Sequence, residues 1–269
     1  MPAMYAHYVF GAEVLPMFDE SIQCIINKHR GLYNLGLQGP DFYFYDQLFY
    51  FRKKSLARIG GELHRQSCEF LLRFFERNGK ERLDEASLAY VLGVIGHFSL
   101  DSTCHPHIDR WVKTMPYDHM RLETEFDRLL LENRGVNARS YRLGDCFAST
   151  PQEREVVARL YTGYGSKKDV KHLIRDYAFL KNIMRTPWDL QYKLYRGVMS
   201  MIGAGRLNGV FMGKTDTKSD ITNPKLVVLF EEAKPIFVKL VNNYMAHCVY
   251  KVPLDPYFKR DFEVLPEAE

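Results

Sequence analysis

Residues 84–103 read as a helix that is apolar on almost every side, and no other stretch of the sequence limits the fold as strongly. Leu88, Ala89, Tyr90, Val91, Leu92, Val94, Ile95, Phe98 and Leu100 leave no wide polar stripe, so other elements must bury the helix on most sides. Those elements are also written at helical spacing. Residues 12–29 carry Val14, Leu15, Phe18, Ile22, Ile25 and Ile26, with Gly31 following as a stop signal. Residues 55–78 repeat the pattern with Leu56, Ile59, Leu63, Phe70, Leu71, Phe74 and Phe75. Residues 117–133 show one apolar face built on Leu122, Phe126, Leu129 and Leu130. Further helices are expected near 152–163, 168–184, 187–205 and 224–247. The stretch 206–223 is polar and glycine-rich and reads as a surface loop, possible in a lid role. The tail VPLDPYFKRDFEV is broken by prolines. No segment reads as a sheet. The expected fold is a single all-α, multi-helical domain over residues 1–269.

The hydrophobic content of 46% suits a folded core, and the net charge of +4 is too small to argue for nucleic acid yet does not repel a phosphate. No stretch is long and apolar enough to span a bilayer. The start MPAMYAHYVFGAEVLP has neither a basic leader nor a continuous apolar run, so the expectation is a cytoplasmic protein with at most peripheral membrane contact. Cys24, Cys68, Cys104, Cys146 and Cys248 are scattered and odd in number, as expected of free thiols in a reducing compartment.

The chemistry concentrates in GHFSLDSTCHPHID, residues 96–109. His97 and Asp101 stand four apart and share one helix face. His105 is the next position on that face. Pro106 disfavours helix at the residue before it, so the helix is expected to end near Cys104, leaving His105 and His107 in competition. A carboxylate and an imidazole in so apolar a helix need neutralising, because an unpaired buried carboxylate costs several kcal/mol. A divalent cation meets that need by favouring the ionised acid and the neutral imidazole.

A second pair, His119 and Glu123, is again four apart and borders the face of Leu122 and Phe126. Such a pair can grip one side of a zinc ion. His7 lies in YAHYVFG, Asp41 follows a Gly-Pro turn, and His64 sits one turn after Gly60 and Gly61. Taken singly, each is more often a core or capping residue than a ligand, and most His/Asp pairs at this spacing are surface contacts. The concentration carries the case: six of the nine histidines lie at 7, 64, 97, 105, 107 and 119. His29, His172 and His247 are assigned to structural roles.

At these residues the chain resembles the zinc-dependent phospholipase C family, which is related in fold to single-strand-specific zinc nucleases. The resemblance spans about residues 5–130 and rests on AHYVFG, GPDFYFY, His64, GHFSLD with its following HP, and HMRLE. It implies an all-α domain with three zinc ions in a cleft. It assigns Asp41, His64, His97 and Asp101 to one ion, with Asp101 bridging to a second that His7 also binds. His119, Glu123 and either His105 or His107 would hold the third, and the HP dipeptide at 105 resembles cytoplasmic-type members and favours His105. In secreted members the processed N-terminal residue completes the His7-type zinc; an equivalent here would require removal of Met1 to expose Pro2.

The resemblance further implies a metal-dependent hydrolase that cuts a phospholipid phosphodiester on its glycerol side, using water activated by two to three zinc ions. Asp41 is the candidate to orient or deprotonate that water. Phe42, Tyr43 and Phe44 are candidates to meet a choline-like headgroup by cation–π contact, although core packing explains them equally well. One rival is a nuclease or nucleotidase on the same metal site, but Lys and Arg form no clear stripe. Another is a non-catalytic metal-binding protein of the same fold.

Overall fold

The computed structural model describes residues 4–46, 55–79, 83–115 and 118–262. Among these residues the regular structure is entirely helical. Its axis is the helix α6, Glu85–Thr114, of 30 residues, about 45 Å long at 1.5 Å per residue. Before it come α1 (Met4–Val14), α2 (Glu20–Lys28), α3 (Arg30–Gly36), α4 (Ala57–His64) and α5 (Cys68–Asn78). After it come α7 (His119–Glu132), α8 (Pro151–Leu160), α9 (Lys167–Ile183), α10 (Asp189–Met201) and α11 (Ser219–Tyr250).

α6 is buried as its composition requires: Ala89 to Leu100 are inaccessible apolar side chains at nearly every position. Asp84 starts the helix, its carboxylate accepting from the amide of Ser87 at 2.8 Å. α3 and α11 make the most extensive contacts with it, and α1 packs in the angle between α6, α7 and α11. α3 comes closest because glycines meet there. A Cβ on Gly36 would stand 2.1 Å from the carbonyl of Tyr90, and one on Gly93 would stand 2.3 Å from that of Tyr33.

Several boundaries differ from the sequence expectation, each for a physical reason. α6 does not end near Cys104 but runs on through Pro106. The missing amide and the ring clash cost about 3 kcal/mol. Cys104 and Ile108 are fully buried on the same side of the helix, and each fully buried side chain of Ile size returns about 1.5–3 kcal/mol. Tertiary packing therefore outweighs the local rule. The segment 12–29 is broken at Pro16 by a short 3-10 turn, Leu15–Met17, before α2 begins. Gly31 is no stop signal; it lies inside α3, where a Cβ would run into the Glu153 carboxylate at 2.1 Å. The segment 55–78 is cut at Ser67, whose hydroxyl accepts from the amide of Phe70 at 3.2 Å.

The 206–223 stretch is not a free loop. It starts in a 3-10 turn, Gly205–Val210, and ends inside α11. Between them Phe211 and Met212 are buried. Arg128 donates to the carbonyl of Gly213 at 2.7 Å, Thr186 donates to that of Met212, and Arg121 donates to those of Phe211 and Lys214. So tied a segment is a strap across α7, not a lid.

Candidate metal centre

Two stripes of polar side chains, each at four-residue spacing, face one another. On α6 they are His97, Asp101, His105 and Asp109; on α7 they are His119, Glu123 and Asp127. Spacing of four keeps each stripe on one helix face with a slow drift. α1, the turn at Asp41–Tyr45 and α4 deliver His7, Asp41 and His64 to the same place.

The deeper half of the centre is closed to solvent. Asp101 lies between two imidazoles: its Oδ1 is 3.1 Å from His7 Nε2 and its Oδ2 is 3.2 Å from His97 Nε2. Asp41 Oδ1 is 3.1 Å from His64 Nε2 and 3.8 Å from His97 Nε2. His7 and His97 stack with ring centres 4.4 Å apart. His7, His64, His97 and Asp101 are wholly inaccessible.

Backbone carbonyls set the imidazole tautomers. His64 Nδ1–H donates to the carbonyl of Gly60 at 2.7 Å, and His97 Nδ1–H donates to that of Leu37 at 3.2 Å. With the proton held on Nδ1, each Nε2 offers its lone pair to the centre. The approach of Leu37 depends on Gly39, whose φ is +52° and whose Cβ, if present, would sit 2.3 Å from His97 Cδ2. Phe262 closes one side. Its amide donates to the carbonyl of His64 at 3.1 Å, and its ring lies 5.5 Å from that of His64 and 5.8 Å from that of His97.

Burial pushes the Asp41 carboxyl upward despite the His64 ring beside it. For His64 burial acts to lower the pKa, and the Asp41 carboxylate overrides it and raises it. Burial drives His97 well below the ordinary imidazole value, with His7 and His64 adding to the fall. Burial also works to raise Asp101, yet the His97 and His7 rings hold it below the ordinary carboxylate range. Eight buried atoms of the centre make no hydrogen bond: both His7 ring nitrogens, Asp41 Oδ1, His64 Nε2, His97 Nε2, both Asp101 oxygens and His105 Nε2. Buried polar atoms are rarely left so. A cluster of soft-edge imidazole nitrogens and carboxylate oxygens, aimed at one another and unsatisfied, fits zinc.

The outer half is more open. His119 Nε2 lies 2.8 Å from Glu123 Oε1, and His105 Nε2 lies 3.9 Å from the same oxygen. His119 is about one-third exposed. Three groups of potential ligands thus emerge, each with its ligand atoms within 4.8 Å of one another: His7, His97 and Asp101; Asp41, His64 and His97; and His105, His119 and Glu123.

His107 is not brought in. Its ring lies beside Trp111, and burial together with the charges of Lys225 and Arg110 lowers its pKa. The continuous helix explains this: at two residues past His105, its side chain leaves the opposite flank of α6. Phe42 and Tyr43 are also displaced from the role of a headgroup wall. Both are fully buried against Tyr161, and Tyr43 donates to the carbonyl of Tyr164 at 2.9 Å. Only Phe44 of the three reaches the surface, with its ring 5.2 Å from that of His64. Met1 and Pro2 lie outside the described residues.

Two participants were missed by sequence reasoning. Asp109 Oδ1 stands 3.6 Å from His119 Nδ1, on the side of the ring away from Glu123. It continues the 97, 101, 105 spacing and would have been found had the helix been extended past Pro106. Asp127 accepts from the amides of Tyr5 and Ala6 at 3.0 and 2.8 Å. It thereby ties down the first turn of α1, the helix that carries His7. Burial pushes its carboxyl up to about 7, with the two amides pulling back. A contact spanning more than 120 residues has no signal in a single sequence.

The family model for zinc dependent phospholipase C matches residues 6–193. The chain belongs to the zinc-dependent phospholipase C family. Comparison with curated proteins and with solved structures gives no match. The matched span holds every residue of the three groups, and the all-helical architecture agrees with the family. Membership and the clustered ligands together make this a zinc-dependent phosphoesterase of the hydrolase class. No helix among the described residues is long and apolar enough to cross a membrane.

Proposed function

We propose that this member of the zinc-dependent phospholipase C family hydrolyses a phospholipid phosphodiester on the glycerol side, yielding a diacylglycerol and a phosphorylated headgroup. The observation that carries the reading is Asp101, which presents one oxygen to His7 and the other to His97. A carboxylate so placed is suited to join two neighbouring ions. One ion would be held by Asp41, His64, His97 and Asp101, a second by His7 and Asp101, and a third by His105, His119 and Glu123. When bound, zinc supplies Lewis acidity and hydroxide at neutral pH.

The chain's own groups do the rest. Leu37 and Gly60 keep His97 and His64 in the tautomer that leaves Nε2 free of a proton. Asp41 is the base: it stands beside the His64 and His97 rings, and burial raises its carboxyl above the ordinary carboxylate value despite the His64 ring. Phe44 is the headgroup contact that the surface leaves available, beside His64. His119, about one-third exposed, lies on the side from which a phosphate would reach the centre.

Metal content by mass spectrometry, paired with assays on phosphatidylcholine, a phosphomonoester and single-stranded DNA, tests this. The expected result is two to three zincs per chain and release of diacylglycerol. Zinc without any phosphodiesterase activity would leave a metal-binding protein, cleavage of DNA alone would make it a nuclease, and absence of metal from freshly purified protein would remove all enzymatic readings.

A further inference from the structure

α10 differs from every other long helix in the chain: none of its residues is buried. Leu190, Leu194, Val198 and Met201 recur at spacings of four and three, so they share one face, and they are 80%, 59%, 45% and 87% exposed. Trp188, at the start of the helix, is 70% exposed. Single exposed apolar residues are ordinary, but a contiguous ridge of large ones marks a surface that meets something.

The polar side of α10 is cationic: Lys193 stands next to the ridge, and Arg196 lies farther round the helix. Lys193 and Arg196, with Tyr192, Ser200 and Asn208, line a shallow, open depression of about 250 Å³. Arg196 donates to the Tyr192 hydroxyl at 2.9 Å and lies over its ring, which fixes the guanidinium at the rim. Ser200 and Asn208 are joined at 3.2 Å and close the far wall. Two cations with hydroxyl and amide groups around a depression of this kind match an anionic phosphate.

The patch is tied to the metal centre. The turn that follows α10 seats Gly209 on α7: a Cβ there would collide with Asp118 Oδ1 at 2.1 Å, at the residue before His119. The strap beyond it is held by Arg121, two residues after His119. The exposed helix and the half-open ligand group therefore belong to one end of α7.

We infer that α10 is an interfacial helix that docks the protein on a phospholipid bilayer, with its apolar ridge in the headgroup–acyl boundary and the Lys193–Arg196 depression on a lipid phosphate. The inference rests on the phospholipid reading proposed above. Leucines on one face, lysine and arginine on the polar side and a tryptophan at the helix end are the pattern of a helix that lies in an interface. Charge complementarity favours the bilayer over a second copy of this chain. Two copies joined along α10 would set their Lys193 and Arg196 pairs close together on a chain that is already net +4, whereas lipid phosphates neutralise them.

The test uses the zinc-loaded full chain and vesicles of phosphatidylcholine with phosphatidylserine. Sedimentation should show the protein on the vesicles. The variant L190D/L194D should lower the vesicle partition coefficient by at least about tenfold, given the apolar area two leucines lose. The variant K193E/R196E should weaken binding to the anionic vesicles and flatten its salt dependence. These side chains are exposed, so circular dichroism and zinc content should match wild type. Turnover of a short-chain phosphatidylcholine below its micelle concentration should not change, while turnover of vesicle lipid falls with binding. Wild-type protein that stays in the supernatant, variants that bind as wild type does, or a wild-type dimer that L190D/L194D turns into monomer would each overturn the docking role. Loss of the phospholipase reading looks different: neither lipid is cut by any form, yet vesicle binding and its sensitivity to both variants persist.

Discussion

The two halves of the centre use similar residues to different ends. The deep half, built by His7, Asp41, His64, His97 and Asp101, has no access to water and leaves most of its inward atoms unpartnered. The outer half, built by His105, His119 and Glu123, already contains a close His119–Glu123 pair and a ring about one-third exposed. Water can solvate His119 when no ion is bound, and Glu123 has an imidazole at 2.8 Å. The deep half lacks the first remedy: its carboxylates have imidazoles at 3.1–3.2 Å, but its rings have no solvent to turn to. Ligand type therefore says less about dependence on metal than burial does. A buried group of this composition makes the cation part of the fold's stability, because binding free energy becomes folding free energy where no alternative partner exists. An outer group can fill and empty with little effect on the rest of the molecule.

The most direct way to break this comparison is Asp101→Asn against Glu123→Gln. Asp101→Asn removes the charge that His7 and His97 share, and deleting one partner of a buried charged set costs about 3–5 kcal/mol. The expected outcome is loss of at least one zinc per chain, loss of phosphodiesterase activity and a clear fall in the thermal midpoint measured by calorimetry. Glu123→Gln should reduce zinc content and activity with a much smaller change in midpoint. Equal falls would refute the distinction between the halves.

Chelation and acid should separate the halves in order. Metal ligands must be unprotonated, so affinity drops as pH falls through the imidazole range, near 6.5 for a free histidine. The accessible outer ion should leave first, and the deep ions should follow together with unfolding. Titrating metal content and near-ultraviolet circular dichroism in parallel checks this. The stabilisation carried by bound metal is about 2.7 kcal/mol when free zinc is one hundred times its dissociation constant, so the second step should coincide with the loss of tertiary signal.

How far such a centre can be read from sequence follows from the same division. The helix-rich fold was legible because α6 is apolar all round and the other helices carry one face, patterns that local periodicity records directly. The spacing of His97 and Asp101 placed them on one face of α6 for the same reason. Pro106 was misleading because the local penalty of about 3 kcal/mol is visible in sequence, while the burial of Ile108 that offsets it is not. That single error also hid Asp109 and left His107 in contention. The carbonyls of Leu37 and Gly60 left no trace, since any residue supplies a carbonyl. α10 was legible as a helix, but its exposure was not, because an amphipathic pattern reads the same whether its apolar face meets a core or a bilayer.

The outer half can be sharpened through Asp109. Its carboxylate faces His119 Nδ1 at 3.6 Å and favours the tautomer that leaves the Nε2 lone pair for an ion. Partners of this kind are worth about 10–100-fold in metal affinity. Asp109→Asn should weaken only the most weakly held zinc by that factor in competition with a chromogenic chelator, leaving the deep ions and the thermal midpoint in place. A shift in the tightly held zincs would mean that the two halves are coupled.

The smallest expected effect comes from Asp84, and it tests whether both halves share one rigid support. Asp84 caps α6, accepting from the Ser87 amide and pairing with Arg159 at 2.8 Å. Its partial burial acts to raise the carboxyl, but the Ser87 and Arg159 contacts bring it down to about 2. A carboxylate lowered in the folded state stabilises the protein above its unfolded value, near 3.9, and that stability fades as pH falls toward 2. The side chain is more than half exposed, so screening limits the ion pair and the cap should be worth about 1 kcal/mol. Asp84→Ala should therefore lower the thermal midpoint slightly at neutral pH, and the difference should shrink as pH falls through about 2. Because α6 carries His97, Asp101 and His105 on one continuous rod, loosening its first turn, more than three turns before His97, should leave all zincs in place. Loss of any of them would show that fraying at the cap propagates along α6 into the centre.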